Sequence, residues 1–223
     1  LLDQNLGREV TTYGQLIPQK AISLIGPKYT LLRSEFSALM DESRKRVRAF
    51  PPRSYLVTMG GIDAHNNITH VLRALAESNL PEDSRVTVVV GVKAPHLDEL
   101  RLLISKLPFV TNLQANASNM AELMLDADLA ITASGLIIYE LACMNVPTLL
   151  LPVSDIQLKF AKLISLNICA DVVDDWQRAP AQKIKVGLHN FITQSLPSFD
   201  STINIDGLGC QRVVDTILEF SHV

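Results

Sequence analysis

The sequence predicts an α/β protein: a Rossmann-like parallel sheet with helices on both faces. Three observations carry this. From Ser54 onward, short β-rich runs alternate with runs of helical periodicity. The strand-like runs are apolar nearly throughout, as strands buried on both faces must be. Small or polar residues follow each run, which fits the carboxyl edge of an open sheet.

The elements follow in order. "SYLVTM" (54–59) reads as the first strand, and "GGIDAHNN" turns the chain. Asn66 or Asn67 is placed to cap the helix "ITHVLRALAES", whose Ile68, Val71, Leu72 and Leu75 share one face. "RVTVVV" (85–90) is a second strand, and "APHLDELRLLISKL" a second helix with Pro95 near its first turn. "VTNLQA" (110–115) is a weaker strand. "SNMAELMLDA" is a helix in which Asn119 and Glu122 have capping-box spacing. "LAIT" (129–132) and "TLLL" (148–151) complete five strands, and a closing helix runs from Leu208 to Phe220 after the turn "DGLG". Residues 1–50 read differently, as turns and one helix ended by Pro51-Pro52. They are expected to be the end of a missing N-terminal domain plus a linker, with residues 51–223 forming the nucleotide-binding unit.

Composition excludes several classes. Hydrophobic residues are 48% and charged residues 19% of the 223, which is the balance of a folded chain. A net charge of −3 gives no general attraction for nucleic acid or anionic membrane. The run "RKRVR" (44–48) is expected to be the solvated end of an amphipathic helix. Cys143, Cys169 and Cys210 are too few and too scattered for a disulfide framework or a zinc site, so a reducing, cytoplasmic compartment is expected. His65, His70, His96, His189 and His222 lack metal-ligand spacing, and no cofactor motif is present. The apolar stretch 129–153 is interrupted by Gly135, Glu140, Asn145 and Pro147, so no membrane span is expected.

At the predicted sheet edge lie Gly60, Gly61 and Asp63 after the first strand, then Ser134 and Gly135 after "LAIT". Asp155 and Gln157 follow the fifth strand. Glycines admit close backbone approach, and carboxylates or amides accept hydrogen bonds from a sugar. Each is ordinary alone: a Gly-Gly turn, a Ser-Gly cap, an Asp155 that caps a helix as readily as it binds a ligand. Their convergence on one edge predicts a ligand site.

Several motifs then occur in a family order: "DQNLGRE", "GPKYTLLRSEF", "VTMGGIDAHNNIT", "SNMAELMLDADLAI", the Gly135–Glu140 turn and helix, "VPTLLLPVSDIQ" and "DGLGCQRVV". With them the chain resembles the UDP-sugar hydrolases of pseudaminic acid biosynthesis and the related spore-coat polysaccharide proteins. The resemblance implies the second domain of a GT-B architecture, akin to the glycosyltransferase that builds the lipid-linked murein precursor. It implies a UDP-sugar as partner and a general-base histidine in the absent first domain. It also implies that Gly60, Gly61 and Gly135 admit the diphosphate and that Glu140 accepts the ribose hydroxyls.

The departures matter as much. Where that family has Gly-Ser-Thr-Thr-Trp-Glu, this chain has Gly135-Leu136-Ile137-Ile138-Tyr139-Glu140. A side-chain hydrogen bond to a charged group contributes about 1.5–3 kcal/mol, so losing two weakens a diphosphate site severely. The family asparagine near the reacting sugar is Ile156, and the usual histidine of Gly-Pro-His-Ala-Pro is Lys93, expected in solvent. Two readings remain: the nucleotide half of a UDP-sugar hydrolase or transferase, and a catalytically drifted nucleotide-sugar-binding or interaction domain. A reductase is disfavoured, because no Gly-x-Gly-x-x-Gly opens a helix after the first strand. A rim filled by Leu136, Ile137 and Ile156 would close such a site.

Overall fold

A computed structural model describes residues 1–193 and 203–221. His222 lies outside the described residues. Six parallel strands form the main sheet: β3 (Ser54–Thr58), β4 (Arg85–Val90), β5 (Val110–Ala115), β6 (Leu129–Thr132), β7 (Thr148–Leu150) and β8 (Ala170–Val172). Their order is β5-β4-β3-β6-β7-β8. A separate two-stranded parallel pair, β1 (Leu2–Asp3) with β2 (Leu24–Ile25), precedes it. Between strands lie α2 (Asn67–Ala76), α3 (Leu97–Ile104), α4 (Met120–Asp126), α5 (Ile137–Cys143) and α6 (Asp155–Ile164). To these are added α1 (Ser34–Lys45), α7 (Pro180–Thr193) and α8 (Gly209–Ser221).

The period of two along each strand sorts the core into two layers. Tyr55, Val57, Val86, Val88, Leu129, Ile131 and Leu149 point to one face, where α2, α3 and α7 cover them. Leu56, Val89, Ala130 and Leu150 point to the other, under α1, α4, α5 and α6. The single tryptophan, Trp176, is fully buried in the first layer, and its Nε1–H donates to the Pro152 carbonyl at 2.9 Å. The expected fold is therefore the observed one.

Several local expectations are corrected. Asn66 and Asn67 do not cap α2. Asp63 does: its two carboxylate oxygens accept the Asn67 and Ile68 N–H groups at 2.8 and 2.9 Å. Asn119 makes no capping box; its amide donates to the Glu122 carboxylate at 2.9 Å, side chain to side chain. Pro95 precedes α3 instead of opening it.

The basic run is the largest correction, because its guanidinium groups turn inward. Arg46 Nη1 donates to the Leu125 and Ala127 carbonyls, both at 2.8 Å, and Nη2 to Asp128 Oδ1 at 3.0 Å. Arg48 reaches the carbonyls of Ala127, Met144 and Asn145 and the hydroxyl of Ser43. Arg44 bonds the Cys143 and Ile205 carbonyls at 3.1 and 2.8 Å. Helix carboxyl ends leave carbonyls unpaired, and these three arginines satisfy those of α4 and α5. Burial pulls the Arg48 guanidinium down to about 10. Lys45 and Val47 face water, and Arg44 stays largely exposed while its guanidinium reaches the two carbonyls.

The segment before Pro51 is likewise built into the sheet unit. Phe36 of α1 is fully buried among α4 and α5 residues. At the far end of the chain, α8 rests on the "GPKYT" turn. A Cβ on Gly209 would collide with the Thr30 carbonyl, and Arg212 Nη1 donates to the Lys28 carbonyl at 2.8 Å. Two motifs far apart in sequence are thus one contact in space.

Candidate functional site

The strand order reverses between β3 and β6, so the loops after these strands diverge and leave a crevice at their carboxyl ends. A cleft of about 380 Å³ occupies that position. Gly60, Gly61 and Gly135 line it. Gly60 has φ +94°, a backbone that side chains resist, and a Cβ on any of the three would meet nothing within 4 Å. Their missing side chains leave the cleft open. Gly91 acts differently. Its N–H donates to the Gly61 carbonyl at 2.7 Å, and a Cβ there would collide with that oxygen. Close approach therefore fastens the loops after β3 and β4 to each other.

Glu140 stands in the first turn of α5, half-buried, with its carboxyl at the cleft wall. Burial pushes its pKa up to about 7; Arg33 opposes the rise and Glu35 adds to it. Arg33, at the start of α1, lines the same cleft and pairs with Glu35 at 2.7 Å. In the sequence Arg33 is marked only by its place in "GPKYTLLRSEF". Asn116, at φ +65° directly after β5, also lines the cleft.

The other candidates separate. Gln157 lines the cleft, and its Oε1 accepts the Ser134 and Val153 N–H groups at 3.2 and 3.1 Å, tying two edge loops together. Ser134 is buried behind this wall and lines an adjoining cavity instead. Asp63 does not line the cleft, because both its oxygens cap α2. Asp155 is exposed at the start of α6 and lines neither space. The cap there is Ser154, whose Oγ accepts the Gln157 N–H at 3.3 Å. Lys93 is exposed, as expected.

The aliphatic replacements do not plug the rim. Leu136 is 66% and Ile156 82% exposed; Leu136 and Ile137 line the cleft without filling it, and Ile156 does not line it. Among the described residues, no group of three or more His, Cys, Asp or Glu side chains is placed to hold a metal ion. No helix among them is long and apolar enough to cross a membrane. Cys143 and Cys169 are buried and Cys210 is exposed, all as free thiols.

No family model matches the chain. Over 137 residues it is 33% identical to the spore coat polysaccharide biosynthesis protein SpsG of Bacillus subtilis, a match that covers 61% of this chain and 39% of that protein. An uncharacterized protein of Methanocaldococcus jannaschii is 32% identical over 140 residues, 62% of this chain and 28% of its own length. The match thus spans well under half of either curated relative. The fold is similar to that of MurG from Acinetobacter baumannii, at TM-score 0.62 and 15% identity over 91% of this chain and 57% of that one. It is also similar to the UDP-GlcNAc 2-epimerase of Methanocaldococcus jannaschii, solved with UDP-GlcNAc and UDP, at TM-score 0.55 and 13% identity. That match covers 85% of this chain and 54% of the epimerase.

Proposed function

We propose that this region is the nucleotide-binding half of a protein that handles a UDP-activated sugar for surface polysaccharide synthesis. One observation carries the proposal: an open cleft at the sheet's switch point, edged by bare glycines, with a half-buried carboxyl on its wall. The similarity to a spore coat polysaccharide biosynthesis protein supports the pathway class. Gly60, Gly61 and Gly135 give the diphosphate access to backbone N–H groups, and Glu140 accepts hydrogen bonds from the ribose hydroxyls. Arg33 supplies a cation on the same wall. In the two-domain arrangement that the resemblance implies, an opposing N-terminal domain closes over the sugar and brings the general base. Hydrolysis of a UDP-sugar of the pseudaminic acid type is the reaction proposed for that assembly.

A second reading rests on a specific observation. Leu136 and Ile156 stand at positions where the resembled family has polar groups, and both face solvent. A domain that binds a nucleotide-sugar without cleaving it fits that surface.

Calorimetric titration of the chain with UDP and a UDP-sugar tests binding. Saturable binding that Glu140→Ala weakens is the expected result. Absence of heat with both ligands at millimolar concentration overturns the proposal. Hydrolysis regained by Ile156→Asn in the complete protein would mark the drifted reading as correct.

A further inference from the structure

Behind the Gly135–Leu136 turn lies a second cavity of about 640 Å³, which shares Gly135, Leu136 and Gln157 with the cleft. Residues 5–8 form one wall. The Leu6 N–H donates to Tyr139 Oη at 3.1 Å, and Gly7, at φ +77°, sits so close to α6 that a Cβ would lie 3.2 Å from Leu163. This anchoring brings Arg8 to the cavity. The opposite wall is one face of α6: Ile156, Lys159, Phe160 and Leu163 recur at helical spacing.

The polar groups here are mostly donors. Arg8 has only a long pairing, 3.8 Å, with Asp3. Lys159 has no carboxylate within 4.0 Å among the described residues. Ser134 is 3% exposed, and its Oγ has no hydrogen-bond partner. Gln157 uses its Oε1 on two backbone N–H groups, which leaves its amide N–H₂ for the shared wall. No carboxylate lines the space. A buried hydroxyl without a partner is costly in a dry core, and two cations facing a cavity repel each other unless an anion joins them.

We propose that this second cavity takes a negatively charged group carried by the nucleotide ligand. The source is its distal phosphate or a carboxylate on the attached sugar. The inference rests on the nucleotide reading of the first cleft and extends it to the group beyond the nucleoside. The apolar strip Ile156, Phe160 and Leu163 then packs against the carbon skeleton of that group.

Calorimetry with UMP, UDP, UDP-glucose and UDP-glucuronate, on the parent and on Arg8→Gln, Lys159→Gln and Ser134→Ala, tests it. Arg8 and Lys159 are surface side chains, so their variants keep the fold. If the distal phosphate is the anion, each charge removal weakens UDP and UDP-glucose alike by up to about fivefold, leaves UMP unchanged and reduces the salt dependence of binding. If a sugar carboxylate is the anion, the parent prefers UDP-glucuronate to UDP-glucose and the variants lose that preference. Equal affinity of parent and charge variants for all four ligands, or a loss shared equally by UMP, overturns the inference and leaves the nucleotide reading standing. No binding of any ligand overturns both.

Discussion

Under the proposed nucleotide reading, Glu140 links stability to ligand binding through one side chain. Its ordinary value is 4.5, and burial raises it to about 7 in the folded chain. Between these values the folded protein holds a proton that the unfolded chain has released. The stability this contributes is fully present below pH 4.5 and is lost as pH rises through about 7. Glu140→Gln should flatten that part of a melting-temperature profile. Ribose hydroxyls donate best to the ionised carboxyl, so UDP-sugar affinity should rise from about pH 6 to about pH 8. The Gln variant should remove the slope. A UDP-sugar is the better titrant, because the terminal phosphate of UDP itself titrates near about pH 6. At Gly91 the effect is steric: Gly91→Ala forces a methyl against the Gly61 carbonyl and should destabilise by about 1–3 kcal/mol in denaturant unfolding, with loss of UDP affinity.

At the scale of elements, end-capping decides more than helix propensity. Asp63 holds the amino end of α2, so Asp63→Ala should reduce stability by about 0.5–2 kcal/mol. At the carboxyl ends of α4 and α5, Arg46 and Arg48 converge with Asp128, which also accepts the Ala49, Arg53 and Ser54 N–H groups at 2.9–3.0 Å. Asp128→Ala leaves Arg46 without its partner and three N–H groups without acceptors. A loss of about 3–5 kcal/mol in urea unfolding is expected. Both caps eluded the sequence for one reason. Asp63 looked like a ligand group because it followed a strand, and the arginines looked solvated because they ended an amphipathic helix. Their partners are backbone groups, some brought near only by the fold, and linear spacing does not reveal such contacts. The strands, by contrast, were legible to within one residue at 54–58, 85–90, 129–132 and 148–150, because burial on both faces writes a mostly apolar run, and the edge strand 110–115 was legible from its place in the alternation. β8 was missed because "ADV" is short and carries Asp171. α7 was missed although Ile184, Leu188 and Phe191 repeat at helical spacing, under the discouragement of Gly187.

For the whole molecule, the switch point was legible only indirectly. The sequence supplied glycines and small residues after each strand, and the order β5-β4-β3-β6-β7-β8 brought two of those turns apart into a cleft. Gly60, Gly61, Gly135, Glu140 and Gln157 meet there; Asp63 and Asp155 do not, because helix starts and ligand edges carry the same residue types. A ligand that binds only the folded chain stabilises it by about 2.7 kcal/mol at one hundred times its Kd. For a chain of this size, saturating UDP should therefore raise Tm by about 5–10 °C in differential scanning fluorimetry.

The docking of α8 on residues 28–30 means that a turn early in the chain is the seat of a helix late in it. Truncation at Pro51 would discard the seat of that last helix, withdraw Arg33 from the cleft wall and strip the arginines from two helix ends. A shortened version would then fail to bind nucleotide while every glycine of the crevice stayed in place. The first fifty residues belong in any experiment meant to judge it.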